Sequence, residues 1–116
     1  MKKVIYKYSL DIRDCPTINT VGRNKPFEIS MVKGAVILDV QAQTELRDPG
    51  DGNMMPMSTG RIWVLADPEE KEKEQRTFLL METGVPFEIA EEETAYIGTY
   101  QVYGGKIVLH LFEILK

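Results

Sequence analysis

The sequence predicts an all-β fold: a single-domain sandwich, or flattened barrel, of about seven mostly antiparallel strands with the C-terminal hairpin at its centre. Three observations predict it. Apolar and polar residues alternate with a period of two in several short runs, as half-buried strands require. Clusters of Gly, Pro, Asp and Asn punctuate those runs. No amphipathic stretch of about ten residues or more reads as a helix.

The hairpin is the clearest element. Residues 95–103 and 105–114 are rich in aromatic and β-branched side chains and flank Gly104-Gly105. Such a pair supplies the positive φ angles of a two-residue turn at little steric cost. The second arm, Ile107-Val-Leu-His-Leu-Phe112, is apolar on both faces except at His110, which marks a central strand covered on both sides.

From the N-terminus, Val4, Tyr6, Tyr8, Leu10 and Ile12 share one face of a strand over residues 3–12. The apolar final strand is its expected partner. Pro16 breaks it within a turn at 14–17, and Gly22 to Pro26 forms a second turn cluster. Phe27, Ile29 and Met31 alternate with Glu28 and Ser30 in a short second strand. After Lys33-Gly34, residues 35–43 form a third, with Val36, Leu38, Val40 and Ala42 inward and Asp39, Gln41 and Gln43 outward. Residues 44–60 read as an irregular inserted loop dominated by Pro, Gly, Asp and Asn. The fourth strand, 61–66, sets Ile62, Val64 and Ala66 on one face and Trp63 and Leu65 on the other. The mixed-charge run 69–76 reads as a solvated connector. A fifth strand at 77–81, a turn at 82–86 and an acidic loop at 87–94 lead into the hairpin.

The bulk composition is that of one folded domain. Hydrophobic residues make up 43% and charged residues 28% of 116 positions, which argues against disorder. The net charge of −4 disfavours nucleic acid, whose phosphates call for clustered Lys and Arg. No run is of a length and apolarity to span a bilayer, so no membrane association is expected. The lone Cys15 excludes an intramolecular disulfide and fits a reducing cytoplasm.

No catalytic constellation is visible. His110 reads as a structural histidine with a hydrogen-bond partner, the alternative being a base or metal ligand. With one His and one Cys, a zinc site is a poor match, and neither metal nor cofactor is expected. Cys15 has Arg13 nearby but no imidazole neighbour in sequence to activate it. Asp48-Pro-Gly-Asp-Gly-Asn53 is oxygen-rich, yet it lacks the spacing and distal glutamate of a calcium loop and reads as a plain turn. The inserted loop and its border supply the candidate binding residues: Arg47, Asp48, Met54, Met55, Met57, Arg61 and Trp63. Methionine adapts to irregular partner surfaces. Trp63 reads as core, or as a stacking anchor if its face is open.

Several segments together carry a resemblance. They are Ile5-Tyr-Lys-Tyr-Ser-Leu10, Gly34 to Gln43, Ile62-Trp-Val-Leu-Ala-Asp-Pro68 and, most specifically, Gly98-Thr-Tyr-Gln…Gly104-Gly…His110-Leu-Phe-Glu113. This pattern resembles a family of small bacteriophage and prophage proteins catalogued as a domain of unknown function. The chain departs from it by extra residues around 19–26 and 44–60. The resemblance implies a phage or prophage gene acting in the infected bacterial cytoplasm. Together with the absent catalytic set, it sets the expectation of a non-enzymatic accessory protein that engages a host protein, inhibition of a bacterial defence system being favoured. Unblocked edge strands allow a homodimer or higher oligomer. The alternative is a protein that sequesters a nucleotide signal between protomers, using Arg61, Arg76, Trp63 or Tyr103.

Overall fold

The computed structural model describes residues 1–10 and 25–115. Cys15, the turn at 14–17 and most of the 19–26 stretch lie outside the described residues. Seven strands are described: β1 Val4–Ser9, β2 Phe27–Val32, β3 Val36–Arg47, β4 Met55–Ala66, β5 Lys73–Glu82, β6 Thr94–Val102 and β7 Ile107–Ile114. A 3-10 turn, Glu91–Glu93, precedes β6.

The strands form two antiparallel sheets, one ordered β1-β4-β3 and the other β2-β5-β7-β6. No ladder joins the sheets among the described residues, so the architecture is an open sandwich and not a flattened barrel. Its core draws on both inner faces: Ile62, Val64 and Val40 from one sheet, Phe27, Met31, Phe78, Leu80 and Leu111 from the other. β7 lies between β5 and β6, an interior strand as its apolar sequence predicts. β6, its hairpin partner, is an edge.

Several expectations are corrected. β1 pairs with β4, in the register Tyr6↔Val64 and Tyr8↔Ile62, and not with the final strand. β7 already has a neighbour on each side, and β1 belongs to the opposite layer. The stretch 44–60 is not an irregular insertion. Residues 44–47 and 55–60 continue β3 and β4 in register from Thr44↔Ser58 to Arg47↔Met55, leaving only 48–54 between strands. Polar composition hid these strands because this end of the hairpin has little core to bury. The charged run also divides: Lys73, Glu74, Gln75 and Arg76 belong to β5 and pair with β2. The final turn is longer than two residues. Tyr103, Gly104 and Gly105 all have positive φ (54°, 67° and 87°), and Lys106 donates to the Tyr103 carbonyl at 3.3 Å.

Two β-bulges reset the pattern of faces. In β3 the register shifts between Ile37 and Asp39. Ile37 and Val40 therefore face the core, while Val36 and Leu38, expected inward, are 57% and 50% exposed. In β6 the shift falls between Tyr96 and Gly98. An extra residue bends a strand and re-aims the side chains beyond it. The sheets then meet closely along β6. A Cβ on Gly60 would lie 2.5 Å from the Tyr100 ring, and one on Gly98 would lie 2.9 Å from Val40. Each glycine is needed there because no side chain fits.

The crossover from β2 to β3, residues 33–35, joins the two sheets. Arg76 closes this corner. Its Nε and Nη2 donate to the two carboxylate oxygens of Glu113 at 2.6 and 2.8 Å, and its Nη1 donates to the Ala35 carbonyl. The hydrogen bond from Glu113 raises the guanidinium pKa above its ordinary value, against partial desolvation. Its stabilising share is thus complete below the ordinary arginine pKa and is lost only when the pH climbs through the raised one.

Removing one partner of a buried pair leaves the other charge stranded. Glu113→Gln is expected to lower stability by about 3 kcal/mol and Tm by roughly 10 °C, read by thermal denaturation. Arg76→Met combined with Glu113→Leu should recover most of that loss; a double variant as unstable as the single one would contradict the assignment. Tyr103→Asn relieves a left-handed residue at an exposed turn and should raise stability by about 0.5 kcal/mol, read by urea titration, where an unchanged midpoint would exclude strain there.

Candidate functional site

All seven residues singled out from sequence lie on the β3–β4 hairpin or its loop. Each strand has twelve residues, spanning about 40 Å at about 3.3 Å per residue, close to the 43 Å long axis of the molecule. Among the described residues, β1 pairs with β4 only along Arg61–Ala66. The distal half of the hairpin is therefore an arm, with Leu46, Met54 and Met55 being 64%, 60% and 47% exposed. Met55, Met57, Arg61 and Trp63 fall on one face of β4, and Arg47 joins them opposite Met55.

Arg61 is buried on that outer face. It is ion-paired with Glu45 and donates to Ser9 Oγ at 3.0 Å and to the Gly60 carbonyl at 3.2 Å. Lys7 Nζ reaches Gln43 at 2.9 Å, across the row that Arg61 occupies, and lies 5.6 Å from the Trp63 ring centre. Trp63 is thus half-buried beneath a lysine on the outer face and is not part of the core. Arg76 is held by Glu113 in the four-stranded sheet and Tyr103 sits at the β6–β7 turn, so within one chain neither lies beside Arg61 and Trp63.

Asp48 starts the loop. Its Oδ1 accepts the amides of Gly50 at 2.8 Å and Gly52 at 3.0 Å, and Asp51 accepts that of Asn53 at 2.9 Å. The oxygen-rich stretch is spent on turn geometry. Among the described residues no group of three or more His, Cys, Asp or Glu is arranged to hold a metal ion.

A second site, absent from the sequence reading, lies on the outer face of the four-stranded sheet. Leu79 and Met81 are buried, yet they stand outside the sandwich core. Residues 83–90 fold over them. Thr83 donates its amide to the Val108 carbonyl at 3.2 Å, and Phe87 stacks obliquely on Phe112 with centroids 5.5 Å apart. Tyr96 approaches Phe112 from the other side at 5.4 Å. What stays open is a groove of about 370 Å³, with Met81 and His110 at its floor and Val85, Phe87, Tyr96 and Phe112 along its walls.

His110 organises this groove. Its Nε2 meets Thr83 Oγ1 at 2.6 Å and its Nδ1 meets Thr99 Oγ1 at 2.8 Å. The Thr99 hydroxyl in turn hydrogen-bonds the Tyr96 hydroxyl. Strands β6 and β7 and the covering segment are thereby tied through one imidazole. Both nitrogens have hydroxyl partners, which is the structural role read from sequence, here with two partners. The bulge makes the chain possible, because Tyr96 and Thr99 would otherwise face opposite sides of β6. Gly98 in mid-strand was the sequence signal that could have revealed it.

The Asp48 carboxyl is held below the usual carboxylate range, first by the Gly50 amide and then by that of Gly52. A depressed pKa contributes stability above the ordinary carboxylate value and loses it as the pH falls through the depressed one. Carbon-detected NMR of the Asp48 carboxyl should show a midpoint below that of the same aspartate in a linear peptide; equal midpoints would rule out the two amide contacts in solution.

No helix among the described residues is long and apolar enough to cross a membrane. No curated protein and no solved structure matches the chain significantly. The sequence model of one family, described as a domain of unknown function, DUF7352, matches residues 1–115. With nearly every residue from the first strand to the last covered, the chain belongs to the DUF7352 family.

Proposed function

We propose that this protein is a non-catalytic accessory binding protein, encoded by a bacteriophage or prophage, that docks on a host protein in the bacterial cytoplasm and thereby inhibits a defence system. The observation that carries the binding role is the β3–β4 arm. Leu46, Met54 and Met55 expose apolar surface at the end of a hairpin that, among the described residues, pairs with β1 only at its base. A solvated turn has no use for three such side chains. The register sets Leu46 and Met55 on opposite faces, so the end of the hairpin is apolar on both sides, and exposed apolar surface edged by polar groups is the usual form of a protein-binding region. Arg47 and Asp48 supply polar groups beside it. Arg61 and Trp63 support the arm's base: Arg61 ties β4 to Glu45 on β3 and to Ser9 on β1. The phage setting and the defence target rest on the resemblance of the strand motifs.

The arm can be tested without removing strands. Native chain and a Leu46→Glu/Met54→Glu variant are immobilised and exposed to lysate of a bacterial host. A host protein should be retained by the native chain and lost, by at least about tenfold, from the variant. The variant's Tm should stay within a few degrees, since both positions are exposed. Equal retention by the two chains, or no retained protein, would remove the arm from the binding role.

A further inference from the structure

We infer that the groove over His110 is a second binding site, which takes an Arg or Lys side chain carried on an extended segment of a partner protein. It is separate from the arm, because it opens on the outer face of the four-stranded sheet while the arm extends the three-stranded one.

The shape comes first. A groove of about 370 Å³ lies at the low end of ligand sites, which run from about 300 to 1,000 Å³. That suits one long side chain and its neighbours better than a nucleotide or a cofactor. Its walls are apolar and aromatic. Phe87 and Tyr96 both contact Phe112 at an interplanar angle of 58°, and all three rings line the groove. Val85, Phe87, Ile89 and Tyr96 remain 44%, 38%, 37% and 58% exposed after the segment has folded over the sheet. An aliphatic stem can lie along such walls while its cationic end meets a ring face or the rim.

Charge then selects the occupant. Residues 82–93, which form one wall and its continuation, contain five glutamates and no Lys or Arg. Glu82 lines the groove and makes contacts of its own, and the exposed Glu88, Glu91 and Glu92 follow the wall residue Phe87 in the chain, so the charge around this side of the groove is negative. An anionic ligand is repelled there. A second copy of this chain, itself at −4, is also disfavoured. A basic segment is complementary.

The groove is also organised in advance. The chain from Thr83 through His110 and Thr99 to Tyr96 fixes both walls relative to the floor. Walls that are already ordered give up little conformational freedom on binding.

The test uses the full chain and three short blocked peptides that differ only in a central Arg, Gln or Glu between leucines. Binding is followed by calorimetry and by amide shift mapping. The Arg peptide should shift Thr83, Phe87, Thr99 and His110 and should bind at least about tenfold tighter than the Glu peptide. Raising NaCl from about 50 to about 500 mM should weaken it several-fold. Phe87→Ala, and separately the exposed pair Glu88→Lys/Glu92→Lys, should each weaken it by about tenfold. The Leu46→Glu/Met54→Glu variant should bind it as the native chain does, so failure at one surface is distinguishable from failure at the other. Equal binding of all three peptides, shifts confined to other surfaces, a self-associated dimer that occupies the groove, or no binding at all would overturn the assignment.

Discussion

The corner formed by Arg76 is the constraint on which the two-layer arrangement depends. Only residues 33–35 connect β2 in one sheet to β3 in the other, so the chain must change layers almost at once. A sharp crossover strands backbone groups that neither ladder can satisfy. Arg76 meets this need from the middle of the neighbouring sheet: its fork grips Glu113 on β7 and its remaining nitrogen holds the Ala35 carbonyl. Glu72 and Glu74 finish the turn, accepting Lys33 and Gly34 amides at 3.0 and 3.3 Å. The guanidinium is suited to the place because it stays charged at every working pH and bonds in a fixed planar pattern. Lysine offers a single point charge and could not serve all three acceptors in that geometry.

Given that corner, the bulges decide what each outer face displays. On β3 the extra residue turns Val36 outward, where it stands in one row with Leu65 and Ile5. On β6 it sets Tyr96 and Thr99 on the same side, three positions apart. The first adds apolar surface to the three-stranded sheet. The second assembles the hydroxyl and imidazole chain beneath the groove. Neither bulge disturbs the core, since Val40 and Tyr100 resume the inward phase beyond it. Of the two candidate surfaces, the groove therefore depends on local irregularity in an edge strand, while the arm is a regular extension of β3 and β4.

The two surfaces differ in what they offer a partner. The arm presents flexible apolar side chains at the end of a long hairpin, a form that adapts to a flat or irregular surface. The groove presents aromatic rings over a hydrogen-bonded floor. They open on different layers of the sandwich.

Much of this was legible in the sequence, because strand formation leaves a local trace. Alternation at Phe27, Ile29 and Met31, at Ile62, Val64 and Ala66, and around Leu109 and Leu111 marked the core faces, and the continuous run of β7 marked an interior strand. The candidate residues from Arg47 to Trp63 do share one hairpin, though as paired strands and not as a loop. What local pattern could not convey is which strand lies beside which. Hydrogen bonding in a ladder is the same for any apolar strand, so the partner of β1 was settled by layer packing. Polar strand segments such as 44–47 and 73–76 carry no alternation because their partners are other chain segments and ion pairs, not a core. The groove was least legible of all: it required Thr83, Tyr96, Thr99 and His110 to meet, and only a bulge and a folded-over segment bring residues so far apart in the chain around one ring.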